Sequence, residues 1–227
     1  MAYQYLMIDN DNTLMDFVAA ERKALAQTLA ANHLPADAAT LSAYHEINNA
    51  LWLALERGET TQALLKVERF RRLFAHLQLD PSPAEAVAAQ YAVNLGGYAD
   101  LLPGAENFVR ALYGKVKIAL ISNGVSAIQR GRLALCPLTP LFDTILISEE
   151  VGASKPDPKM LLMAMEQMGC TDKSQAVMMG DSLSADIPAA IHAGVDSIFF
   201  STKGKTSPLP TYTVKSYEEA LAILLAE

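Results

Sequence analysis

The stretch YLMIDNDNT at residues 5–13 decides the fold class, because an apolar run ends abruptly in two carboxylates. The four apolar residues predict a buried strand, and Asp9 and Asp11 follow where that strand ends. In extended backbone, side chains two residues apart point to the same side, so these like charges would repel each other without a cation or a shared proton. Buried parallel strands bind ligands at their carboxyl edge. The stretch therefore predicts a metal site or an acid–base pair at a sheet edge.

The pattern of apolar run followed by helix recurs in the second half of the chain. Four further runs predict strands, at residues 116–121, 144–147, 176–179 and 197–200. Helical stretches lie between them, near residues 126–135, 157–168 and 184–193. Strands that alternate with helices imply right-handed crossovers and a parallel sheet covered on both faces. We therefore predict an α/β fold with a Rossmann-like parallel sheet, to which the first strand also belongs.

A helical block separates the first strand from the others. Apolar residues recur at helical spacing, and Pro35, Gly58 and residues 81–83 divide the block into roughly four helices. We predict that residues 16–97 form an all-helical cap domain inserted into the chain. Residues 1–15 and 98–227 would then form the α/β core.

Composition excludes several classes of protein. The chain has 227 residues, of which 51% are hydrophobic and 19% charged, as expected of a well-packed globular protein. Its net charge of -7 gives no basic field for a nucleic-acid polymer, although a local positive patch could still bind a small anion. Cys136 and Cys170 form no C-x-x-C pair, and no apolar run reaches membrane-spanning length. We expect a cytoplasmic protein with no membrane partner.

Polar residues follow three of the four strands predicted in the second half. They are Ser122, Asn123 and Gly124 after one strand, Lys155 beyond the next, and Gly180, Asp181 and Asp186 after the third. Each motif alone has a structural explanation, as a common turn, a solvated lysine or helix-capping carboxylates. Because the carboxyl ends of parallel strands lie at one edge, we expect all of these residues to converge there.

In this order the residues resemble the four signatures of the haloacid dehalogenase (HAD) superfamily of phosphohydrolases. The matching positions are Asp9, Asp11 and Thr13, then Ser122, then Lys155, and finally Gly180, Asp181 and Asp186. The helical block resembles the cap of that family. Residues 48–58, 121–124 and 147–156 are also similar to bacterial pyrimidine 5′-nucleotidases of the YjjG type. Asn12 departs from the Gly or Glu of many relatives, but Asn tolerates unusual backbone angles.

The resemblance implies a role for each carboxylate. Asp9 would attack phosphorus and form an aspartyl-phosphate, while Asp11 would protonate the leaving oxygen and later activate water. Mg²⁺ would be held by Asp9, the backbone carbonyl of Asp11, and Asp181, which form an oxygen-only set of ligands. Asp186 would orient either Lys155 or a metal-bound water.

The resemblance also implies a phosphate-binding group. Ser122 and Lys155 would hold phosphoryl oxygens, helped by backbone N–H groups around Asn123 at a helix start. Thr13 would support the loop that carries the two catalytic carboxylates.

The cap is expected to select the substrate by closing over the site. Trp52 and Tyr44 could stack on a base, and Asn48 and Arg69 could make polar contacts. The alternative is that Trp52 is buried between cap helices, as most aromatic residues at helical spacing are.

We therefore predict a Mg²⁺-dependent phosphomonoester hydrolase. Its substrate would be a small phosphate ester, a nucleoside 5′-monophosphate with a pyrimidine base, including deoxy or noncanonical forms. One alternative is a sugar-phosphate or phosphoglycolate phosphatase of the same superfamily, and another is a non-catalytic binding protein that retains the fold. The sequence leaves open whether the protein is a monomer or a homodimer.

Overall fold

The structure, a computed structural model, describes residues 3–226, and these divide into two compact units. The first, which we call the α/β unit, contains the described part of Met1–Asp16, Asp100–Ser126 and Cys136–Glu227. The second, which we call the helical unit, contains Phe17–Ala99 and Ala127–Leu135. The segment Ala127–Leu135 therefore groups with the helical unit, although it lies far from that block in sequence.

The α/β unit is built on one six-stranded parallel sheet in the order β3-β2-β1-β4-β5-β6. The strands are β1 (Tyr5–Ile8), β2 (Lys117–Ser122), β3 (Thr144–Ile147), β4 (Ala176–Gly180), β5 (Asp196–Phe200) and β6 (Tyr212–Val214). This confirms the predicted α/β fold and its five strands. The sequence analysis missed β6, a three-residue edge strand whose first two residues are exposed and which therefore lacks an apolar run.

Ten α-helices lie within residues 3–226. In chain order they are α1 (Phe17–Ala31), α2 (Ala38–Glu56), α3 (Gln62–His76), α4 (Ala84–Gly96), α5 (Ala105–Leu112), α6 (Ser126–Leu135), α7 (Ser148–Val151), α8 (Lys159–Met168), α9 (Asp186–Ala193) and α10 (Tyr217–Leu224). The first four confirm the predicted helical block. Pro35, Gly58 and residues 81–83 fall between these helices, as expected of residues that interrupt helical backbone.

The sheet is covered by helices that also hold the loop after β1. On one face, Met7 and Met178 pack with residues of α8 and α9 in a continuous apolar core. Elsewhere in the unit, Tyr217 of α10 stacks on Phe200 at the end of β5, with ring centroids 4.7 Å apart. Its hydroxyl donates a hydrogen bond of 2.7 Å to the carbonyl of Thr13. The core therefore fixes the backbone of the loop that follows β1.

Three aromatic rings form the centre of the helical unit. Tyr44 of α2, Phe70 of α3 and Tyr91 of α4 are fully buried, and their centroids lie 5.3 to 5.6 Å apart. The expectation that Tyr44 offers a stacking surface to a ligand is wrong, because its ring is enclosed by this cluster. Helical spacing placed it correctly on an apolar face, and the structure shows that this face is the core.

Beside the aromatic cluster, Asn48 bridges two buried charges. Its Nδ2 donates to Glu21 Oε1 at 2.7 Å, and its Oδ1 accepts from Arg69 Nη1 at 3.3 Å. Glu21 Oε2 also lies 2.7 Å from His45 Nδ1, and the Arg69 guanidinium lies 4.7 Å from the Tyr91 ring centroid. Burial raises the pKa of Glu21, while the hydrogen bond and charge of His45 and the charge of Arg69 oppose that shift.

We expect Asn48→Ala to lower the free energy of unfolding by about 2–4 kcal/mol, because it leaves two buried charged groups without their bridge. Urea unfolding of the parent and the variant measures this loss. Glu46→Ala, an exposed position on the same helix, is the control and should change stability by less than about 0.5 kcal/mol. Equal stability of parent and Asn48→Ala would show that Asn48 is not needed to hold Glu21 and Arg69 in the folded unit.

Candidate active site

The loop that carries Asp9 and Asp11 begins where β1 ends. Asp9 follows the last strand residue, and its N–H donates to the carbonyl of Met179 on β4 at 2.9 Å. The chain then turns back, because the carbonyl of Asn10 accepts from the N–H groups of Leu14 and Met15 at 2.9 Å each. Asn12 takes the left-handed conformation at φ 59°, which Asn adopts more readily than most residues. The loop therefore needs a residue such as Asn or Gly at position 12.

Asp11 lies in this loop and not in a strand. Both carboxylates follow the strand as predicted, since β1 ends at Ile8, but the extended backbone assumed between them is not found, because Asp11 forms an isolated bridge with Met15. The tight turn, instead of strand alternation, keeps Asp11 close to Asp9. Its charge contributes to the raised pKa of Asp9, after the larger effects of burial and of other charged neighbours.

Lys155 is the positive charge of the site and is almost wholly buried, with 1% of its surface exposed. Its Nζ lies 2.6 Å from Asp9 Oδ1, 2.7 Å from Asp186 Oδ1 and 2.9 Å from the carbonyl oxygen of Ile121. Burial alone would lower the pKa of Lys155, but the charges of Asp186 and Asp9 outweigh it and raise that pKa. The Lys155 ammonium has three hydrogens and already lies beside three oxygens. A phosphoryl oxygen would therefore have to share one of these hydrogens with an oxygen of the protein.

Asp186 is held from two directions at the start of α9. Its Oδ1 pairs with Lys155, and its Oδ2 accepts from the N–H of Ser182 at 2.9 Å. A Cβ added at Gly180 would overlap the carboxylate of Asp186. The last residue of β4 must therefore be glycine for Asp186 to reach Lys155. The sequence analysis named Gly180 only as part of a motif, because this approach depends on a contact across a turn.

Three carboxylates form a cluster suited to a metal ion. Asp9, Asp181 and Asp186 each offer an oxygen, and these oxygens lie within 4.8 Å of one another. Burial raises the pKa of Asp9 well above its usual range and raises that of Asp181 to about 7, so holding all these charges together is costly. Hard dications prefer such oxygen ligands and would relieve the cost. The cluster contains two of the predicted metal ligands and adds Asp186 to them.

The turn after β2 carries the predicted phosphate-binding residues. Ser122 Oγ accepts from the N–H of Gly124 at 3.0 Å, which leaves its own hydroxyl hydrogen able to donate. The Asn123 side chain accepts from the N–H of Lys155 and donates to its carbonyl, both at 2.8 Å. The side chain of Asn123 therefore positions the backbone of Lys155. A phosphate contact at Asn123 would come from its backbone N–H.

The three residues predicted to contact the substrate from the cap have different surroundings. Asn48 and Arg69 are 1% and 2% exposed and are paired inside the helical unit. Trp52 on α2 is partly exposed, so it is not the fully buried residue that the alternative interpretation required. A substrate contact of any of the three stays a prediction. The burial of Glu21 was not predicted, because the sequence does not distinguish a buried glutamate from a solvated one.

Buried carboxylates around one lysine, at the carboxyl edge of a parallel sheet, are typical of an α/β enzyme site. A family model described as haloacid dehalogenase-like hydrolase matches residues 3–194. The chain belongs to this family, which confirms the predicted membership. Among residues 3–226, no helix has both the length and the apolar character needed to cross a membrane.

Whole-chain relatives agree with this assignment. The chain is 35% identical to the pyrimidine 5′-nucleotidase PynA of Streptococcus pneumoniae, covering 99% of this chain and 96% of that protein. It is 30% identical to the pyrimidine 5′-nucleotidase YjjG of Escherichia coli, covering 99% of both. A crystal structure of the HAD-hydrolase YfnB of Bacillus subtilis, bound to magnesium and revealing interdomain movement, matches with a TM-score of 0.92 at 29% identity. That match covers 99% of this chain and 100% of the other.

We expect Gly180→Ala to lower the free energy of unfolding by about 1–3 kcal/mol, because the new methyl group displaces the Asp186 carboxylate. A double-mutant cycle in urea tests the cause. In an Asp186→Ala background the carboxylate is gone, so the same glycine substitution should cost less. An equal cost in both backgrounds would mean that the methyl group does not act through Asp186.

Proposed function

We propose that the protein is a Mg²⁺-dependent phosphomonoester hydrolase that acts on nucleoside 5′-monophosphates with a pyrimidine base, including deoxy or noncanonical forms. The observation that carries the proposal is the buried Asp9, paired with Lys155 inside a cluster of carboxylates. Similarity to PynA and YjjG over the whole chain supports the substrate class. The active site alone would serve a sugar phosphate or phosphoglycolate equally well.

Asp9 is the nucleophile in this proposal. Lys155 binds its Oδ1, so the attack on phosphorus falls to Oδ2. The new O–P bond forms as the bond between phosphorus and the ester oxygen breaks, and the nucleoside leaves. Water then attacks the aspartyl-phosphate at phosphorus, which releases inorganic phosphate and restores the carboxylate.

Asp11 is the general acid and base. The departing 5′-oxygen is a poor leaving group unless it gains a proton, and Asp11 lies two residues from the nucleophile on the same tight loop. In the second step the same carboxylate takes a proton from the attacking water. A halide would leave without a proton, so this second carboxylate favours phosphate esters as substrates.

Two features bind the phosphate group. The turn after β2 supplies hydrogen-bond donors, and positive charge offsets that of the carboxylates and the phosphate. The hydroxyl of Ser122 donates to one phosphoryl oxygen, and backbone N–H groups near Asn123 bind others. Lys155 keeps Asp9 ionised and in place. Asp9, the backbone carbonyl of Asp11 and Asp181 would hold Mg²⁺, with Asp186 as a neighbour that keeps Lys155 oriented. When bound, the ion offsets the charge of the carboxylates and of the phosphate dianion.

The first test is phosphate release from a panel of dUMP, UMP, dTMP, AMP, ribose 5-phosphate and phosphoglycolate, with and without Mg²⁺. We expect release to need Mg²⁺ and to be fastest with the pyrimidine nucleotides. Asp9→Asn should lower kcat by at least about 10³-fold, because the nucleophile is lost. Asp172→Asn is the matched control, since that residue is an exposed turn carboxylate whose hydrogen bond to Ser174 an amide can keep.

The outcomes separate the candidate functions. Release mainly from ribose 5-phosphate or phosphoglycolate would retain the chemistry and refute the nucleotide assignment. No release from any substrate would refute the proposed hydrolysis and favour a binding protein with the same fold.

Metal binding should depend on pH. Burial, with a contribution from Asp186, raises the pKa of Asp181 to about 7, so below that pH the metal-free carboxyl holds a proton. A ligand must lose its proton before it binds a cation, so Mg²⁺ should bind at least about tenfold more weakly at pH 6 than at pH 8. Calorimetric titration of the phosphate-free protein at both pH values measures this. Equal dissociation constants would contradict the prediction.

A further inference from the structure

The sequence Ser148-Glu149-Glu150 has no role in the mechanism above, although it lies beside the site. It begins α7, directly after β3, and β3 pairs with β2 in a register that sets Ser122 opposite Ile147. The two strands therefore deliver the segments that follow them to the same edge of the sheet. We call residues 122–126 the phosphate turn, and Ser148, Glu149 and Glu150 the clamp.

Every member of the clamp is bonded to the phosphate turn. Ser148 Oγ donates to the carbonyl of Asn123 at 2.9 Å. Glu149 Oε2 accepts from the N–H of Ser126 at 2.7 Å. Glu150 Oε1 accepts from the hydroxyl of Ser126 at 2.5 Å. The clamp therefore makes hydrogen bonds to the phosphate turn at residue 123 and at its last residue, 126.

The remaining groups of the turn are held by the site itself. The side chain of Asn123 pairs with the backbone of Lys155, and the N–H of Gly124 donates to Ser122 Oγ. The backbone of the turn is thus restrained at residues 123, 124 and 126 before any substrate arrives. Restraint of this kind moves the entropy cost of ordering a loop from ligand binding to folding.

Glu149 and Glu150 lie beside a turn proposed to bind phosphate, where negatively charged side chains are not expected. Their negative charges would weaken phosphate binding, so attraction of substrate cannot explain them. Glu149 instead satisfies the first N–H of α6, where a carboxylate stabilises the helix start. Because Glu149 accepts from the N–H of Ser126, that N–H is used to hold the turn.

We propose that Ser148, Glu149 and Glu150 are positioning residues that hold the phosphate turn in its binding conformation, an inference that rests on the proposed function. They act through hydrogen bonds to the turn and not through contact with the substrate. Acceptor geometry, rather than charge, is what Glu149 supplies. The role therefore survives replacement by an amide of the same length and fails when the side chain is shortened.

The test compares Glu149→Ala, Glu149→Asp and Glu149→Gln. The assay uses p-nitrophenyl phosphate as substrate and inorganic phosphate as competitive inhibitor. We expect the Ala and Asp variants to raise KM and the inhibition constant of phosphate together, by about 5–30-fold, because one hydrogen bond to the turn is lost. Glu149→Gln should stay within about threefold of the parent. Glu166→Ala, which removes an exposed glutamate from α8, is the control and should change neither constant.

A Mg²⁺ titration distinguishes positioning from general damage. Neither Asp9 nor Asp181 is a partner of the clamp in the bonds above, so Mg²⁺ affinity should stay within about twofold in all variants. Unchanged KM and inhibition constant in both Ala and Asp variants would overturn the proposal. So would a loss of Mg²⁺ affinity equal to the loss of phosphate affinity, or a Gln variant as impaired as the Ala variant. Should Glu149→Ala not fold, the Asp and Gln pair carries the comparison.

Failure of the proposed function gives a different result. If the parent hydrolyses no phosphomonoester, calorimetric binding of inorganic phosphate to parent and variants replaces the kinetic assay. Weaker binding by Glu149→Ala or Glu149→Asp, with rescue by Glu149→Gln, supports the clamp without the hydrolytic activity. A parent that binds no phosphate overturns the clamp and the proposed function together.

Discussion

The buried ammonium of Lys155 is the interaction on which the site depends. Through three short contacts it joins Asp9 at the end of β1, the carbonyl of Ile121 in β2 and Asp186 at the start of α9. A buried lysine is stable only when such partners compensate its lost hydration, and buried carboxylates need a cation in the same way. The charges that catalysis requires therefore also hold the ends of separate sheet elements together. Removing any one partner would leave the others buried and uncompensated.

This arrangement leaves the site with more negative than positive charge. Lys155 can neutralise one carboxylate, while Asp9, Asp181 and Asp186 lie close together. Raised pKa values at Asp9 and Asp181 express that imbalance, and burial is their largest cause. A site with this imbalance favours protons or a hard cation, and only the cation would leave the Asp9 carboxylate ionised. A cation bound at this cluster would therefore be what allows a chain of net charge -7 to bind an anionic phosphate ester there.

Much of this could be predicted from the sequence, because periodicity and motif order report on local structure. The apolar runs located five of the six strands, and Pro35 and Gly58 correctly separated helices. Contacts between distant segments could not be predicted in the same way. Nothing in the one-letter pattern distinguishes Glu21, buried against Asn48, from a solvated glutamate, and nothing links Ser126 to Glu149 across 23 residues. Strand alternation even gave the wrong reason for the nearness of Asp9 and Asp11, since a turn produces it.

The different surroundings of Asp9 and Asp11 explain how two neighbouring carboxylates could divide the chemistry. Asp9 is 8% exposed, and burial raises its pKa, while the charge of Lys155 at its Oδ1 opposes that shift and favours the ionised form that a nucleophile needs. Asp11 is partly exposed, whereas the three short contacts of Lys155 Nζ are with Asp9, Ile121 and Asp186. A carboxyl at a partly exposed position could be reached by a leaving oxygen or by water, as a general acid and base must be. The end of β1 at Ile8 accounts for this difference, because Asp9 directly follows the buried strand while Asp11 lies in the partly exposed loop beyond it.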